Sequence, residues 1–249
     1  MGSGNLKAMV FAAGLGTRLR PLTDTMPKAL VPVQGEPMLS RVLRKIAAAG
    51  YSEAIVNVHH FASQVVDYLS GRDFGMTIRI SDESSLLLDT GGGLLAARSF
   101  LEDCTEPFLV HNVDIFSNLD LKATRRSLNA GAAATLVVSG RKTSGRYLLF
   151  DEQMRLAGWT DTRTGEVRSP YPGLNPAEYR KFAFSGIHFV SPSAFGALED
   201  YSKERGSAVF PIMDFYLSAC ASLPVFGLAP DGLEVTDAGK IETISSLTI

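Results

Sequence analysis

Short apolar runs and amphipathic runs alternate along the first half of this chain. Lys7–Ala13 (KAMVFAA) is ended by Gly14 and is too short for a helix, which suits a strand buried on both faces. Met38–Ala49 carries apolar residues at Met38, Leu39, Val42, Leu43 and Ile46, the spacing of a helix with one buried stripe, and Gly50 stops it. The same reading predicts strands at Ala54–Val58, Met76–Ile80 and Pro107–Asn112. Helices are predicted at Ala62–Leu69, at Gly92–Leu101 behind the glycine run Gly91–Gly93, and at Leu119–Asn129. Such alternation predicts an α/β fold of Rossmann-like type: a mixed, mainly parallel central sheet with helices on both faces.

From Ala133 the texture changes. Ala133–Ser139, Tyr147–Phe150, Leu156–Thr160 and Phe182–Val190 read as strands with few helices between them, so this part is expected to be more antiparallel. Asp161–Arg180 contains Pro170, Pro172 and Pro176 and reads as a long loop of the kind used for lids or binding. Pro192–Tyr201 and Ile212–Ala221 read as helices, Val225–Leu228 and Leu233–Thr236 as strands, and a short helix follows Gly239. Residues 5–249 are expected to form a single domain, with halves over about 5–130 and about 131–249. Met1–Gly4 reads as an expression remnant.

Composition narrows the functional classes. A formal charge of −2 argues against a broad nucleic-acid footprint, so phosphate binding has to be local. No apolar run reaches the ~18 residues of a membrane span, and the N-terminus lacks a secretory pattern, which points to the cytoplasm. Cys104 and Cys220 are too few for a disulfide framework or a zinc cluster, and read as small buried hydrophobes.

The densest candidate chemistry follows the first strand, in Phe11–Lys28 (FAAGLGTRLRPLTDTMPK). Gly14 and Gly16 let the main chain approach a phosphate closely, Thr17 adds a hydroxyl, Arg18 a forked guanidinium and Lys28 a mobile point charge. A Gly-x-Gly spacing alone fits a structural turn equally well. Asp114 stands at the end of a strand where open α/β sheets place their sites, and Asp237 follows another strand; turn or cap formation is the competing role for each. Leu88–Gly93 (LDTGGG) opens a helix, with Thr90 either a cap or a ligand contact. Gly186, inside the apolar Phe184–His188, marks either a close ligand or a bulge. His59 and His60 read as loop or core residues, and Trp159 as a core residue with a pocket wall as the alternative.

Taken whole, Gly14, Gly16, Thr17, Arg18, Pro21, Thr23, Pro27 and Lys28 make the chain resemble the sugar-1-phosphate nucleotidylyltransferase family, over nearly the whole length from Lys7 to Asp237. The resemblance implies the nucleotide-diphospho-sugar transferase fold and transfer of a nucleotidyl group from a nucleoside triphosphate to a sugar 1-phosphate, releasing pyrophosphate. It assigns Arg18 and Lys28 to the triphosphate, and Ala13, Gly14, Gly16, Thr17, Thr90 and Gly91 to the nucleotide. Asn112 and Gly186 fall to the sugar, and Asp114 and Asp237 to Mg²⁺; residues of about 5–130 become the nucleotide-binding half and about 131–249 the sugar-binding half, with Asp82, Glu83 and Asp89 open between base recognition and solvated charge. Val113 departs from the pattern, standing where such enzymes carry glycine, and a β-branched residue does not readily take positive φ. Within the family, the triple glycine, the Phe-Ser-Gly-Ile run and the short length look most like the compact N-acetylmuramate 1-phosphate uridylyltransferases, with mannose 1-phosphate or heptose 1-phosphate guanylyltransferases next. A choline-phosphate cytidylyltransferase and a non-catalytic nucleotide-sensing subunit remain as alternatives.

Overall fold

The computed structural model describes residues 6–141 and 144–246; the stretch read as an expression remnant lies outside them. In chain order its elements are β1 (Lys7–Phe11), β2 (Pro32–Val33), β3 (Glu36–Pro37), α1 (Met38–Ala48), β4 (Glu53–Val58), α2 (Ala62–Ser70), β5 (Thr77–Asp82), α3 (Asp89–Ala96) and α4 (Arg98–Leu101). Then follow β6 (Phe108–Asn112), β7 (Ile115–Ser117), α5 (Leu121–Arg126), β8 (Ala134–Ser139), β9 (Arg146–Phe150), β10 (Leu156–Asp161) and β11 (Val167–Arg168). The chain closes with β12 (Arg180–Val190), α6 (Ala194–Arg205), α7 (Ile212–Ala219), β13 (Val225–Leu228), β14 (Val235–Asp237) and α8 (Ile241–Ser246).

One ten-stranded sheet runs through both halves. Its centre is parallel, with β1 between β4 and β6 and β5 beyond β4. β12 adds antiparallel to β6 and also pairs antiparallel with β8 and β9, so the expected change of texture after residue 133 is present. Strand alternation distributes the core: Ala8 and Val10 of β1 face a cluster with α1 and α2, whereas Met9 and Phe11 face one with α3, α4, α6 and α7. Each fully buried aliphatic or aromatic side chain there contributes about 1.5–3 kcal/mol. The stripe predicted for α1 is buried at every named position. α5 begins at Asp120, whose carboxylate accepts from the Ala123 N–H.

Three details differ from the sequence reading. The helix expected over Gly92–Leu101 instead starts at Asp89 and is interrupted at Ala97, so all of Gly91–Gly93 lie inside α3. They are there because neighbours crowd the helix: a Cβ on Gly91 would lie 2.4 Å from the Phe210 ring, and one on Gly92 only 2.0 Å from the Ala208 carbonyl oxygen. The proline-rich stretch over 161–180 is not wholly loop, since β11 pairs with β10 and Pro176–Glu178 forms a 3₁₀ turn. Trp159 is half-buried on the wall of a cavity rather than enclosed in the core. No helix among the described residues is long and apolar enough to cross a membrane.

Candidate active site

The carboxyl ends of the parallel strands β1, β4 and β6 border a cleft of about 560 Å³. The loop leaving β1 forms one wall, with Ala13, Gly14, Gly16, Thr17 and Arg18 all lining it. Gly16 takes φ +64°, and a Cβ there would lie 2.8 Å from Thr23 Cγ2 and 2.9 Å from Lys28 Cβ. The Thr23 hydroxyl donates to the Gly16 carbonyl at 2.9 Å. Glycine therefore permits the turn and also lets the stem of Lys28 pack beneath it. The Lys28 ammonium reaches Asp114 in an ion pair whose side chains are 14% and 10% exposed.

A second strand end brings the other acid. β14 pairs antiparallel with β7, setting Asp237 opposite Ile115, one residue beyond Asp114. Asp237 Oδ1 accepts from the Gly239 N–H at 2.8 Å. A Cβ at Gly239 would lie 2.7 Å from Arg18 Nη2, 2.7 Å from Asp237 Oδ1 and 3.0 Å from Asp114 Oδ2. One small volume is thus shared by the guanidinium and both carboxylates, with Lys28 on Asp114. Four groups widely separated in sequence converge there.

Val113 causes no distortion. Its φ is not positive, its N–H donates to the Phe11 carbonyl at 3.2 Å, and its side chain joins the core. The turn at Asp114 is therefore built without the backbone conformation that glycine would supply.

Beneath the loop lies a buried network that the sequence reading passed over. Asn57 Oδ1 accepts from the N–H groups of Ala12 and Ala13 at 2.7 and 3.3 Å, and its Nδ2 donates to Glu83 Oε1 at 2.7 Å. Glu83 Oε2 accepts from the Leu88 N–H at 3.1 Å. Glu83 is 2% exposed, and burial pushes its carboxyl pKa upward. It is neither a solvated charge nor placed to leave the network; Asp82, by contrast, is exposed and bonded to Ser84. The signal for Asn57 was present in the sequence: an amide inside the apolar run of β4 needs a partner.

Thr90 lines the cleft and also accepts from the Ile212 N–H at 2.9 Å. Gly91 is not on the lining; its N–H donates to the Phe210 carbonyl at 2.8 Å and its bare Cα accommodates the Phe210 ring. Asn112 lines the cleft and a second cavity that adjoins it. Gly186 sits in a β-bulge at φ +81°, where a Cβ would lie 3.0 Å from Asn112 Nδ2; its neighbours Phe184 and His188 line the second cavity. Among the described residues no group of three or more His, Cys, Asp or Glu side chains forms a metal cage. Two converging carboxylates do suit a hard divalent cation that takes its remaining ligands from phosphates and water.

A family model described as nucleotidyl transferase matches residues 7–148. The chain is 32% identical over 233 residues to an N-acetylmuramate α-1-phosphate uridylyltransferase of Caulobacter vibrioides, an alignment that covers 91% of this chain and 89% of that one. It is 33% identical to a mannose-1-phosphate guanyltransferase of Schizosaccharomyces pombe over 84% of this chain and 56% of that one. Among solved structures, the fold matches a CTP:phosphocholine cytidylyltransferase from Streptococcus pneumoniae with a TM-score of 0.72, at 21% identity over 97% of this chain and 96% of that one. Motif, sheet and full-length similarity agree: the chain belongs to the nucleotidyl transferase family.

Proposed function

We propose that this protein transfers a uridylyl group from UTP to an amino-sugar 1-phosphate of the N-acetylmuramate type, forming a nucleotide sugar and releasing pyrophosphate. The observation that carries the reading is the convergence of Lys28, Arg18 and Asp114 on the cleft lining, with Asp237 meeting Arg18 and Asp114 around Gly239 of the same lining. An oxygen of the sugar phosphate attacks the α-phosphorus; that P–O bond forms as the bond to the β-phosphate oxygen breaks, and pyrophosphate departs. The nucleophile is already an anion, so the protein needs to position and neutralise rather than to deprotonate. Lys28 leaves one contact on Asp114 for another on the triphosphate, and Arg18 offers its fork to the phosphate oxygens exposed at the same point.

Asp114 and Asp237 would hold Mg²⁺, which when bound screens the charge of the triphosphate. The Gly14–Thr17 loop, which leaves main chain that Asn57 holds at Ala12 and Ala13, receives the nucleotide, and Thr90 stands between nucleotide and acceptor. The near full-length relation to an N-acetylmuramate α-1-phosphate uridylyltransferase supports the choice of base and sugar. A guanylyl transfer to mannose 1-phosphate is the second reading, supported by a relative of which this chain spans 56%.

A grid of the four nucleoside triphosphates against a panel of sugar 1-phosphates, read by pyrophosphate release with and without Mg²⁺, tests the proposal. The highest kcat/KM is expected for UTP with an N-acetylated amino-sugar 1-phosphate. Preference for GTP with mannose 1-phosphate would select the second reading, and tight nucleotide binding without turnover on any acceptor would refute both.

A further inference from the structure

The second cavity, about 280 Å³, shares Thr90 and Asn112 with the nucleotide cleft. His188 of β12 lines it, is 1% exposed, and among the described residues has no hydrogen-bond partner on either ring nitrogen. A buried polar group without a partner is expensive to keep, and a site that binds a polar ligand is one reason to keep it. The ring is fixed between Phe184 and Tyr216, with centroids at 5.6 and 5.7 Å. Around it the walls are largely apolar, with Leu148, Trp159, Phe184 and Met213 prominent.

Three acceptor chemistries can be weighed against this lining. A cationic amine would meet Arg146, and among the described residues no carboxylate lines the cavity to receive it. A plain hexose would turn hydroxyl groups toward Leu148, Trp159 and Met213, where each unpaired hydroxyl is penalised. An acylamino group presents a methyl to those walls and an amide to a partner. Burial holds the His188 pKa down at about 3, so the ring stays neutral and offers one donor and one acceptor, one of which can meet the C=O or the N–H of an amide.

We propose that His188 is a specificity-determining residue of the acceptor pocket, hydrogen-bonding the acylamino substituent of a sugar 1-phosphate whose acyl methyl packs against Trp159 and Phe184. The inference rests on the transferase reading above and adds to it which side chain selects the acceptor.

Steady-state kinetics on the whole protein test it, using N-acetylmuramate and N-acetylglucosamine 1-phosphates, their deacylated amines, and glucose 1-phosphate. The parent is expected to favour an acetylated acceptor over its amine by tenfold or more, on the order of what a built hydrogen-bonding site can discriminate. His188→Phe should lose most of that preference through a raised KM, with kcat little changed, while melting no lower than the parent. His188→Gln, which keeps a donor and an acceptor, should restore it. A parent that turns over glucose 1-phosphate or the amines as well as the acetylated sugars would overturn the inference while leaving the transferase reading intact. Full preference retained in a folded His188→Phe protein would overturn it equally. Inactivity of the parent with every acceptor would remove the transferase reading and this inference together.

Discussion

Replacing Gly239 by alanine would put one methyl group where three charged side chains meet. Its Cβ would stand 2.7 Å from Arg18 Nη2, 2.7 Å from Asp237 Oδ1 and 3.0 Å from Asp114 Oδ2. Non-bonded contacts to carbon settle at about 3.5 Å or more, so each group has to withdraw by roughly 0.5–1 Å. Gly239 does not hold a positive φ, and all the obstructing atoms are ends of side chains, so the fold accommodates the change with a stability effect within about 1 kcal/mol. Catalysis does not tolerate it as well, because a displacement of about 1 Å in a positioned charge lowers turnover by about a hundredfold. We therefore expect kcat/KM for pyrophosphate release to fall by about 30- to 100-fold, with a higher Mg²⁺ concentration needed for half-maximal rate, at an almost unchanged melting midpoint. Gly196→Ala is the matched control: it lies in α6 with no atom within 4 Å of the new Cβ, and should add about 0.5–1 kcal/mol of stability without touching activity. Parental kinetics and parental Mg²⁺ dependence in Gly239→Ala would refute the claim that these groups act at one point.

Other outcomes can be checked in parallel. Lys28→Ala and Asp114→Ala should each lower turnover by at least about a hundredfold, the scale for losing one charge contact in the transition state, and a parental rate in either would exclude that residue from catalysis. Gly92→Ala should destabilise the fold by about 1–3 kcal/mol in urea unfolding, because its Cβ would meet main chain at Ala208 rather than a movable side chain; an unchanged midpoint would show that α3 does not lie against that segment. Stability should also fall with acidification. Burial depresses His111 and His188 to about 4 and about 3, below their unfolded value near 6.5, so the native state is favoured in full above pH ~6.5 and loses up to about 1.4 kcal/mol per pH unit for each histidine as pH drops toward those values. Glu83, whose pKa is raised, works in the opposite direction. His188→Phe should flatten the unfolding profile between pH 7 and 5, and a slope identical to the parent's would contradict the neutral buried state.

Much of this architecture can be read from periodicity because the physics that fixes it is local. β1 is a short run buried on both faces, and α1 has a single apolar stripe, so length and spacing decide each one. The compact loop after β1 is legible for the same reason: Gly16, Thr23 and Lys28 pack on one another within a dozen residues of chain. What escapes is what depends on distant partners. Gly91–Gly93 read only as a run that opens a helix until Phe210 and Ala208 come against Gly91 and Gly92, and Glu83 and Asn57 against Gly93, and those neighbours are what make glycine necessary inside a helix. Glu83 looks like a solvated charge until Asn57 and the Leu88 N–H enclose it. The two-residue strands β2, β3 and β11 are too short to leave a period.

Thr90 and Asn112 belong to both cavities, and the Thr90 hydroxyl also anchors the amino end of α7 through Ile212. With the cleft taking the triphosphate and the adjoining cavity the acceptor, as we propose, the two choices become coupled traits in this scaffold. A substitution at either position that adapts the protein to another base deforms the chamber for the other reactant, so a change of donor would call for compensating changes around Trp159 and His188 before a useful new pairing emerged.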